Sequence, residues 1–522
     1  MANDQQPHLI GFQNEACADF TLPENRAAME AALAHARSQF GREWKLLIGG
    51  NCVETGATFA STNPARPDEV LGLHHKATPL LAARAVEAAD AALRNWSRTP
   101  PIIRIAAAAR TAEILRARRM EFNAWLVFEA GKSWPEAEAE SGEAIDFCDY
   151  YARDMARLAG PHPVLQLPGE KGEMRYQALG VGVIIPPWNF PLAILAGMTV
   201  AALVTGNTVV VKPSSDTPTV AALFMEVLLE AGFPAASFNF ITGSGALIGD
   251  ALVGHPRTRF VSFTGSRDVG LHINELAAKA QPEQIWIKRV VAEMGGKDAI
   301  IVDSDCDLDA AVEGVALSAF GYSGQKCSAC SRAIIHADVY DAFLEKLQPR
   351  VERMTVGNPE APGFYMGPVI SAAAKRTILG YIETGKQEGR LLTGGGALDA
   401  EGHFIQPTVF ADIEGSARIF QEEIFGPVLG VTKARDFDHA LELANDSQYG
   451  LTGAIFSNNP DHLARAREEF FVGNMYINRK CTGAMVGCHP FGGFNMSGTD
   501  SKAGGPDYLM LYLQAKSIAE RV

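Results

Sequence analysis

The chain has 522 residues, with 46 basic side chains against 60 acidic ones for a formal charge of −14, and 47% of its residues are hydrophobic. At roughly 150 residues per domain that allows two to four domains with ample core, and the apolar content excludes disorder as the dominant state. Fifty glycines and 28 prolines exclude a long coiled coil, while the acidic balance argues against a nucleic-acid or membrane partner, since both favour a basic face.

Residues 1–7 have neither a basic nor an apolar leader region, so no secretory signal is expected. Eight scattered cysteines (17, 52, 148, 306, 327, 330, 481 and 488) are too few for a disulfide framework and point to a reducing, cytoplasmic location. Residues 78–158 read as helices, with Ala-rich runs at 82–93 and 103–119 and a further segment at 122–130. Residues 160–176 look extended and turn-rich, an excursion from the main body.

No charge occurs between Arg175 and Lys212, a length that could span a membrane, but Gly180, Gly182, Pro186, Pro187, Asn189, Pro191 and Gly206 interrupt it. It reads instead as buried strands and helix. From 181 to 302, β-rich runs at 181–185, 208–211, 238–241, 260–263 and 299–302 alternate with helical segments at 192–204, 218–231, 247–253 and 267–278. Continuous Val/Ile runs signal strands covered on both faces, hence an α/β class with a parallel, doubly wound sheet whose ligand sits where loops leave the strand C-termini. A second α/β pattern begins after 305, with a helix at 308–320, a strand at 333–336 and a helix at 338–353. Residues 497–522 open with Ser-Gly-Thr and end as a strand-like tail.

Several residues on this frame could carry chemistry. Cys327 follows a Gly turn and is placed on a loop, where a partly exposed thiol near positive charge could act as a nucleophile; most free cysteines are instead small core residues. Cys327 and Cys330 also match a redox or half-zinc CxxC, but Cys481 and Cys488 are spaced too widely for a second knuckle, so no metal is expected. Glu293 follows a β-like run at 285–291 and precedes two glycines, which suits a general base facing a cleft. Asn189, stiffened by flanking prolines, can aim its amide at an oxyanion. Lys212 ends the second strand, where a dinucleotide fold meets a ribose, and is followed by Ser214 and Ser215. Gly245 and Gly249 open one helix, and Gly265 and Ser266 another, where N–H groups can hold phosphate. Each signal has an ordinary structural alternative, but they fall in order on successive strands.

In that order the motifs Pro187-Trp188-Asn189-Phe190-Pro191, Lys212-Pro213-Ser214, Phe263-Thr264-Gly265-Ser266, Glu293-Met294-Gly295-Gly296-Lys297, Gly324-Gln325-Lys326-Cys327 and Glu422-Glu423-Ile424-Phe425-Gly426-Pro427 resemble those of the aldehyde dehydrogenase superfamily. The match runs from about Asn63-Pro64, through Glu129-Ala130-Gly131-Lys132, to the C-terminus. The resemblance implies that Cys327 attacks an aldehyde, that Asn189 and the Cys327 amide hold the oxyanion, and that Glu293 activates the water that hydrolyses the thioester. It implies NAD as cofactor, beside Pro187, Trp188, Lys212, Ser214, Ser215, Gly295 and Phe425, with Glu423 and Lys212 on its riboses and Gly245, Gly249, Gly265 and Ser266 by its pyrophosphate. Many NAD-specific relatives carry a Glu where this chain has Ser215, so NADP is expected to be tolerated. The implied domains are a Rossmann-type cofactor domain (1–159 and 178–294), an α/β catalytic domain (295–496) and a β flap (160–177 and 497–522) that joins copies into a homodimer or an assembly of dimers.

Within the superfamily the chain is similar to the branch that oxidises L-glutamate γ-semialdehyde, the open form of Δ1-pyrroline-5-carboxylate, to L-glutamate in proline catabolism, with a functional link to proline dehydrogenase. The residues 326–332, 479–484, 490–493 and 497–499 carry this likeness, together with an extension of roughly 40 residues ahead of Trp44. For such a substrate the amides of Gly483 and Ala484 with the Ser328 hydroxyl would form an anion nest, and Phe190 and Phe491 would clamp the aliphatic middle. Glu136, Glu138 and Glu140 read as a solvated helix face rather than as partners of the ammonium. The competing readings are a dehydrogenase for another semialdehyde, such as succinic semialdehyde, and a catalytically inactive homologue, which would have lost Cys327, Glu293 or Asn189.

Overall fold

The structure, a computed structural model, describes residues 11–522; the leader reading of residues 1–7 and the first ten positions of the 1–159 segment lie outside it. Two seven-stranded sheets dominate. The first has the order Arg289–Glu293, Thr258–Thr264, Val181–Ile185, Thr208–Val211, Phe238–Phe240, Leu46–Ile48 and Asn51–Val53. Its first five strands are parallel, and the last two join antiparallel. Val181, Val183, Ile184 and Val209 to Val211 are fully buried, as strands covered on both faces must be. Strand Val181–Ile185 lies between the second and fourth strands in chain order, so the crevice where the winding reverses opens beside the loops that follow Ile185 and Thr264.

The expected run at 299–302 does not belong to this sheet. It is part of strand Asp298–Val302 in the middle of the second sheet, whose order is Arg390–Thr393, Thr408–Ala411, Val428–Ala434, Cys330–His336, Asp298–Val302, Thr452–Phe456 and Asn474–Ile477. The fifth parallel strand of the first sheet is instead Arg289–Glu293, paired with Phe260 to Thr264. Only four residues, 294–297, lie between the end of Arg289–Glu293 and the start of Asp298–Val302, so the chain crosses between the sheets at the Glu293 motif. A site built there draws on the C-terminal ends of the first sheet and the N-terminal ends of the second.

A third, antiparallel sheet pairs Leu513–Arg521 with Glu170–Ala178, and Glu170–Ala178 with Pro161–Pro163. Residues 497–512 do not join it; they run back along the body, where Tyr508, Leu509 and Tyr512 are buried in the core under the first sheet. Helix Pro79–Trp96 covers one face of the first sheet and Ala193–Val204 with Pro218–Glu230 the other, and Pro101–Ala117, Arg119–Ala130 and Trp134–Leu158 pack outside those two. An N-terminal helix, Pro23–Ser38, packs Met29, Leu33 and Ala36 into the same core.

Candidate active site

Cys327 stands on the loop between the short turn Gly321–Gly324 and strand Cys330–His336. The approach is strained: Tyr322 and Ser323 have φ of 50° and 56°, a region costly for bulky side chains. The Tyr322 hydroxyl donates to the Ala130 carbonyl at 2.7 Å and the Ser323 hydroxyl to the Gly367 carbonyl at 2.8 Å, holding this turn in place. Gly324, φ 68°, leaves no room for a Cβ, which would sit 2.3 Å from the Gly426 carbonyl oxygen. Cys330 points elsewhere, fully buried in the core of the second sheet, with its thiol donating to the Arg332 carbonyl. The two cysteines of the CxxC therefore face different surroundings.

Two cavities meet at Cys327. One is about 930 Å³ and is lined by Pro187, Trp188, Asn189, Lys212, Ser214, Gly245, Gly249, Gly265, Ser266, Glu423 and Phe425 among others; the second is about 320 Å³ and is lined by Phe190, Glu293, Ser328, Gly483, Ala484 and Phe491. Thr264, Met294 and Cys327 border both. Burial pushes the Cys327 thiol well up, and the carboxyls of Asp298, Glu423 and Glu293 push the same way, so the resting site holds it protonated. Asn189, 4% exposed, donates from Nδ2 to the Gln325 carbonyl at 3.0 Å, which ties its loop to the nucleophile's loop.

Glu293 ends its strand with the carboxylate bound by the C-terminal segment. Ser501 donates its hydroxyl to Oε1 at 2.6 Å and its amide to the same oxygen at 3.3 Å, while the Gly493 amide donates to Oε2 at 3.1 Å. Burial wins over these bonds and raises the carboxyl to about 7, the range a general base needs. Thr499 grips the same strand, its hydroxyl accepting from the Ala292 amide at 3.0 Å. Residues 497–501 therefore serve the site rather than the third sheet. Ser501 was not legible in the sequence beyond its nearness to the Ser-Gly-Thr motif.

The larger cavity suits a dinucleotide. Helices Gly245–Val253 and Arg267–Ala278 begin on it with no side-chain cap from Ser244 or Ser266, leaving N–H groups for phosphate. Nothing lies within 4 Å of where a Cβ on Gly249 would point. Lys212 is 5% exposed, and among the described residues its ammonium bonds only the Pro213 carbonyl, at 3.0 Å; burial lowers it to about 8. Glu423 accepts from the Gly296 amide at 3.0 Å, and burial raises it to about 7. Phe425, φ 56°, meets Trp188 edge-on at 5.4 Å. The Ser215 hydroxyl donates to the Gly243 carbonyl at 3.2 Å.

One wall of the smaller cavity departs from expectation. Glu136, Glu138 and Glu140 are not a solvated face. Glu138 and Glu140 are completely buried, paired with Arg119 at 2.6 Å and Lys132 at 2.7 Å, and Glu136 pairs with Lys326 at 2.7 Å. Cations outside this helix, Arg119 and Lys132 ahead of it and Lys326 far along the chain, make this burial possible, a circumstance that the helix's own patterning does not encode. Glu140, Glu143 and Asp146 continue the acidic face into the cavity. Asp146 accepts from Asn14 and from the Glu15 amide at 2.9 and 2.8 Å, so the segment ahead of helix Pro23–Ser38 forms part of the wall through Glu15 and Cys17. Glu143 alone of these has no hydrogen-bond or ion-pair partner among the described residues, and burial, reinforced by Glu140, holds it up to about 8. On the opposite rim Arg479 draws in the Thr482 and Gly483 carbonyls at 2.9 and 3.2 Å, and the Gly483 and Ala484 amides find no acceptor among the described residues.

Comparison with known proteins agrees with this geometry. The Aldehyde dehydrogenase family profile matches residues 53–518. A 1-pyrroline-5-carboxylate dehydrogenase of Geobacillus thermodenitrificans is 59% identical over 509 residues, covering 98% of this chain and 99% of that one. The crystal structure of 1-pyrroline-5-carboxylate dehydrogenase from Thermus with bound NAD superposes with a TM-score of 0.96 at 50% identity, over 98% of this chain and 99% of its own. Proline utilization A (PutA) from Bdellovibrio bacteriovorus gives a TM-score of 0.97 at 44% identity, over 99% of this chain and 54% of the larger one. The chain belongs to the aldehyde dehydrogenase family.

Proposed function

We propose that this chain oxidises L-glutamate γ-semialdehyde to L-glutamate, with Cys327 as nucleophile, Asn189 as oxyanion donor and Glu293 as general base. The observation that carries the reading is the position of Cys327 on both cavities, one suited to a dinucleotide and the other lined by amides and a carboxyl that have no partners among the described residues. The names of the Geobacillus and Thermus relatives support the same substrate.

The substrate has an aldehyde at one end and an α-carboxylate and ammonium at the other. The Gly483 and Ala484 amides with the Ser328 hydroxyl receive the carboxylate, and Phe190 and Phe491 flank the methylenes. Glu143, which has no partner among the described residues, receives the ammonium, a role the sequence does not reveal. A dedicated Arg would be the usual receiver for the terminal carboxylate of succinic semialdehyde, and no Arg lines this cavity among the described residues, where Lys326 is already engaged by Glu136.

The thiol, held protonated at rest, loses its proton as sulfur attacks the aldehyde carbon; Glu293 is the base on the cavity whose pKa of about 7 suits that transfer. The remaining Asn189 N–H and the Cys327 amide stabilise the oxyanion of the thiohemiacetal. NAD in the larger cavity, held by Lys212, Ser214, Glu423 and the two helix N-termini with Pro187, Trp188, Gly295 and Phe425 around it, supplies the hydride acceptor. Once it has released the first proton to solvent, Glu293 takes a proton from the water that attacks the thioester and returns it to the departing Cys327 sulfur, so the thiol is restored and L-glutamate is the product.

Leu165 and Leu167, exposed on the loop that joins the strands Pro161–Pro163 and Glu170–Ala178 of the third sheet, support the reading of residues 160–177 and the final strand as a flap that pairs copies. The cofactor and catalytic domains divide near residue 294. No helix among the described residues is long and apolar enough to cross a membrane, and eight unpaired cysteines support a cytoplasmic location. The likeness to about half of a proline utilization chain supports a link to proline dehydrogenase. The test is purified protein with a panel of aldehydes and both nucleotides. Preferred turnover of glutamate γ-semialdehyde is expected; fast turnover of short unbranched aldehydes with none of the semialdehyde would overturn the substrate.

A further inference from the structure

Lys132 is the most deeply buried cation near the site and touches neither cavity. Its side chain is wholly inaccessible, 2.7 Å from Glu140 Oε2. The other oxygen of Glu140 accepts the Leu192 and Ala193 amides at 2.8 and 3.2 Å, closing the start of helix Ala193–Val204 just after the Asn189-Phe190 loop. The ammonium is ion-paired with Glu140 and has no hydrogen-bond partner among the described residues; it lies between two aromatic rings, 3.8 Å from the Phe190 centroid and 4.3 Å from that of Tyr322. Burying a lysine this way is costly unless its charge is used on every side.

Those two rings belong to different loops. Phe190 follows the oxyanion donor and lines the smaller cavity, whereas Tyr322 starts the strained turn that delivers Cys327. The same pair of loops is already tied by the Asn189 amide and the Gln325 carbonyl. A second tie through Phe190, the ammonium and Tyr322 fixes the ring that faces the substrate relative to the nucleophile's turn. Desolvated cation–π contacts are strong enough for this, since no water competes for the charge.

We infer that Lys132 is a positioning residue, a cation that sets the Phe190 ring against the Cys327 loop and thereby determines affinity for the extended substrate. The inference rests on the proposed role of Phe190 as the clamp. Losing Lys132 should therefore impair a substrate whose chain passes under the ring, and spare both a short aldehyde and the nucleotide.

The experiment compares wild type with Lys132→Met/Glu140→Gln, Phe190→Leu and the triple variant. The double change removes both charges together, so neither is stranded in the core, and the amide replacing Glu140 still accepts the two N–H groups. The KM for glutamate γ-semialdehyde is expected to rise about tenfold or more, with the KM for propanal and the NADH dissociation constant within about threefold of wild type. The triple variant should be no worse than Phe190→Leu alone. A wild-type KM in the double variant would reduce Lys132 to a counter-ion of Glu140 and overturn the inference, as would an equal loss with both aldehydes. Phe190→Leu with an unaltered semialdehyde KM sinks the clamp reading itself, and the inference with it. Lys132→Arg keeps the charge and stacks on rings, so it gives a second reading should the double variant not fold. It should stay within about threefold of wild type for the semialdehyde, and a tenfold loss there counts against the inference.

Discussion

The Ser501 hydroxyl donates to Glu293 Oε1 at 2.6 Å, across 208 residues of chain, and is the shortest of the three bonds made to that carboxylate. It favours the charged form, while burial, the larger influence, raises the carboxyl to about 7. Ser501→Ala removes a bond to the ionised state, so the pKa moves further up. A base works only when deprotonated, hence the acid limb of the kcat profile should shift to higher pH and kcat at pH 7 should fall roughly two- to tenfold. A kcat profile from pH 5.5 to 9 tests this; an acid limb that stays in place or moves down removes Glu293 from the rate-determining proton transfer.

Glu293→Gln separates its two proposed duties. The amide keeps its size and its one oxygen still accepts from Ser501, but its NH2 cannot accept from Gly493 and the group cannot take a proton. If the carboxylate is needed chiefly to activate water, stopped-flow NADH absorbance should show a burst followed by a stalled acyl-enzyme. Equal slowing of the burst and the steady state would show instead that the carboxylate is needed to form the thiolate.

Asn189 spends one N–H on the Gln325 carbonyl, which leaves the other for the oxyanion. Asn189→Ala should therefore lower kcat by about 10²-fold or more, with little change in nucleotide binding. A kcat within about threefold of wild type in Asn189→Ala would show that the amide makes no oxyanion contact that matters to the rate.

Gly295 is a glycine because Glu423 occupies the space of its side chain: a Cβ would fall 2.0 Å from Oε2. The carboxylate is the end of a flexible side chain and can swing aside, so Gly295→Ala should fold with a near-normal melting temperature. The swing removes Glu423 from the larger cavity and from the Gly296 amide. A rise of about tenfold or more in the NADH dissociation constant is expected by fluorescence titration. Unchanged affinity would remove Glu423 from the cofactor site.

The parts of this molecule that were legible in its sequence share a physical character. Strands 181–185 and 208–211 were found to the residue because a strand buried on both faces must be apolar throughout. The motif residues appeared on loops because chemistry needs unusual residues at strand ends. What was missed depends on partners far along the chain. The strand Arg289–Glu293 was read as 285–291, since Ile285 and Ile287 look like core residues yet are 84% and 87% exposed. The run at 299–302 has the composition of its neighbours, and nothing local states that it pairs with Cys330–His336 and Thr452–Phe456 instead. The acidic stripe beginning at Glu136 reads as solvated until Arg119, Lys132 and Lys326 are brought to it by the fold.

Nucleotide choice turns on Ser215. Its hydroxyl donates to the Gly243 carbonyl, beside the start of helix Gly245–Val253, and it carries no charge to repel a 2′-phosphate. The ammonium of Lys212, lowered to about 8 by burial, remains largely protonated at pH 7 and would attract that phosphate. The kcat/KM with NADP should therefore lie within a thousandfold of that with NAD. Ser215→Glu places a carboxylate by the ribose, adding repulsion of about 1–3 kcal/mol, and should lower NADP use roughly 10- to 100-fold while leaving NAD nearly untouched. Steady-state rates with both nucleotides at saturating aldehyde decide it. A wild-type preference for NAD beyond a thousandfold, or a Ser215→Glu variant that retains its NADP activity, would mean that exclusion of the phosphate is set elsewhere in the cavity.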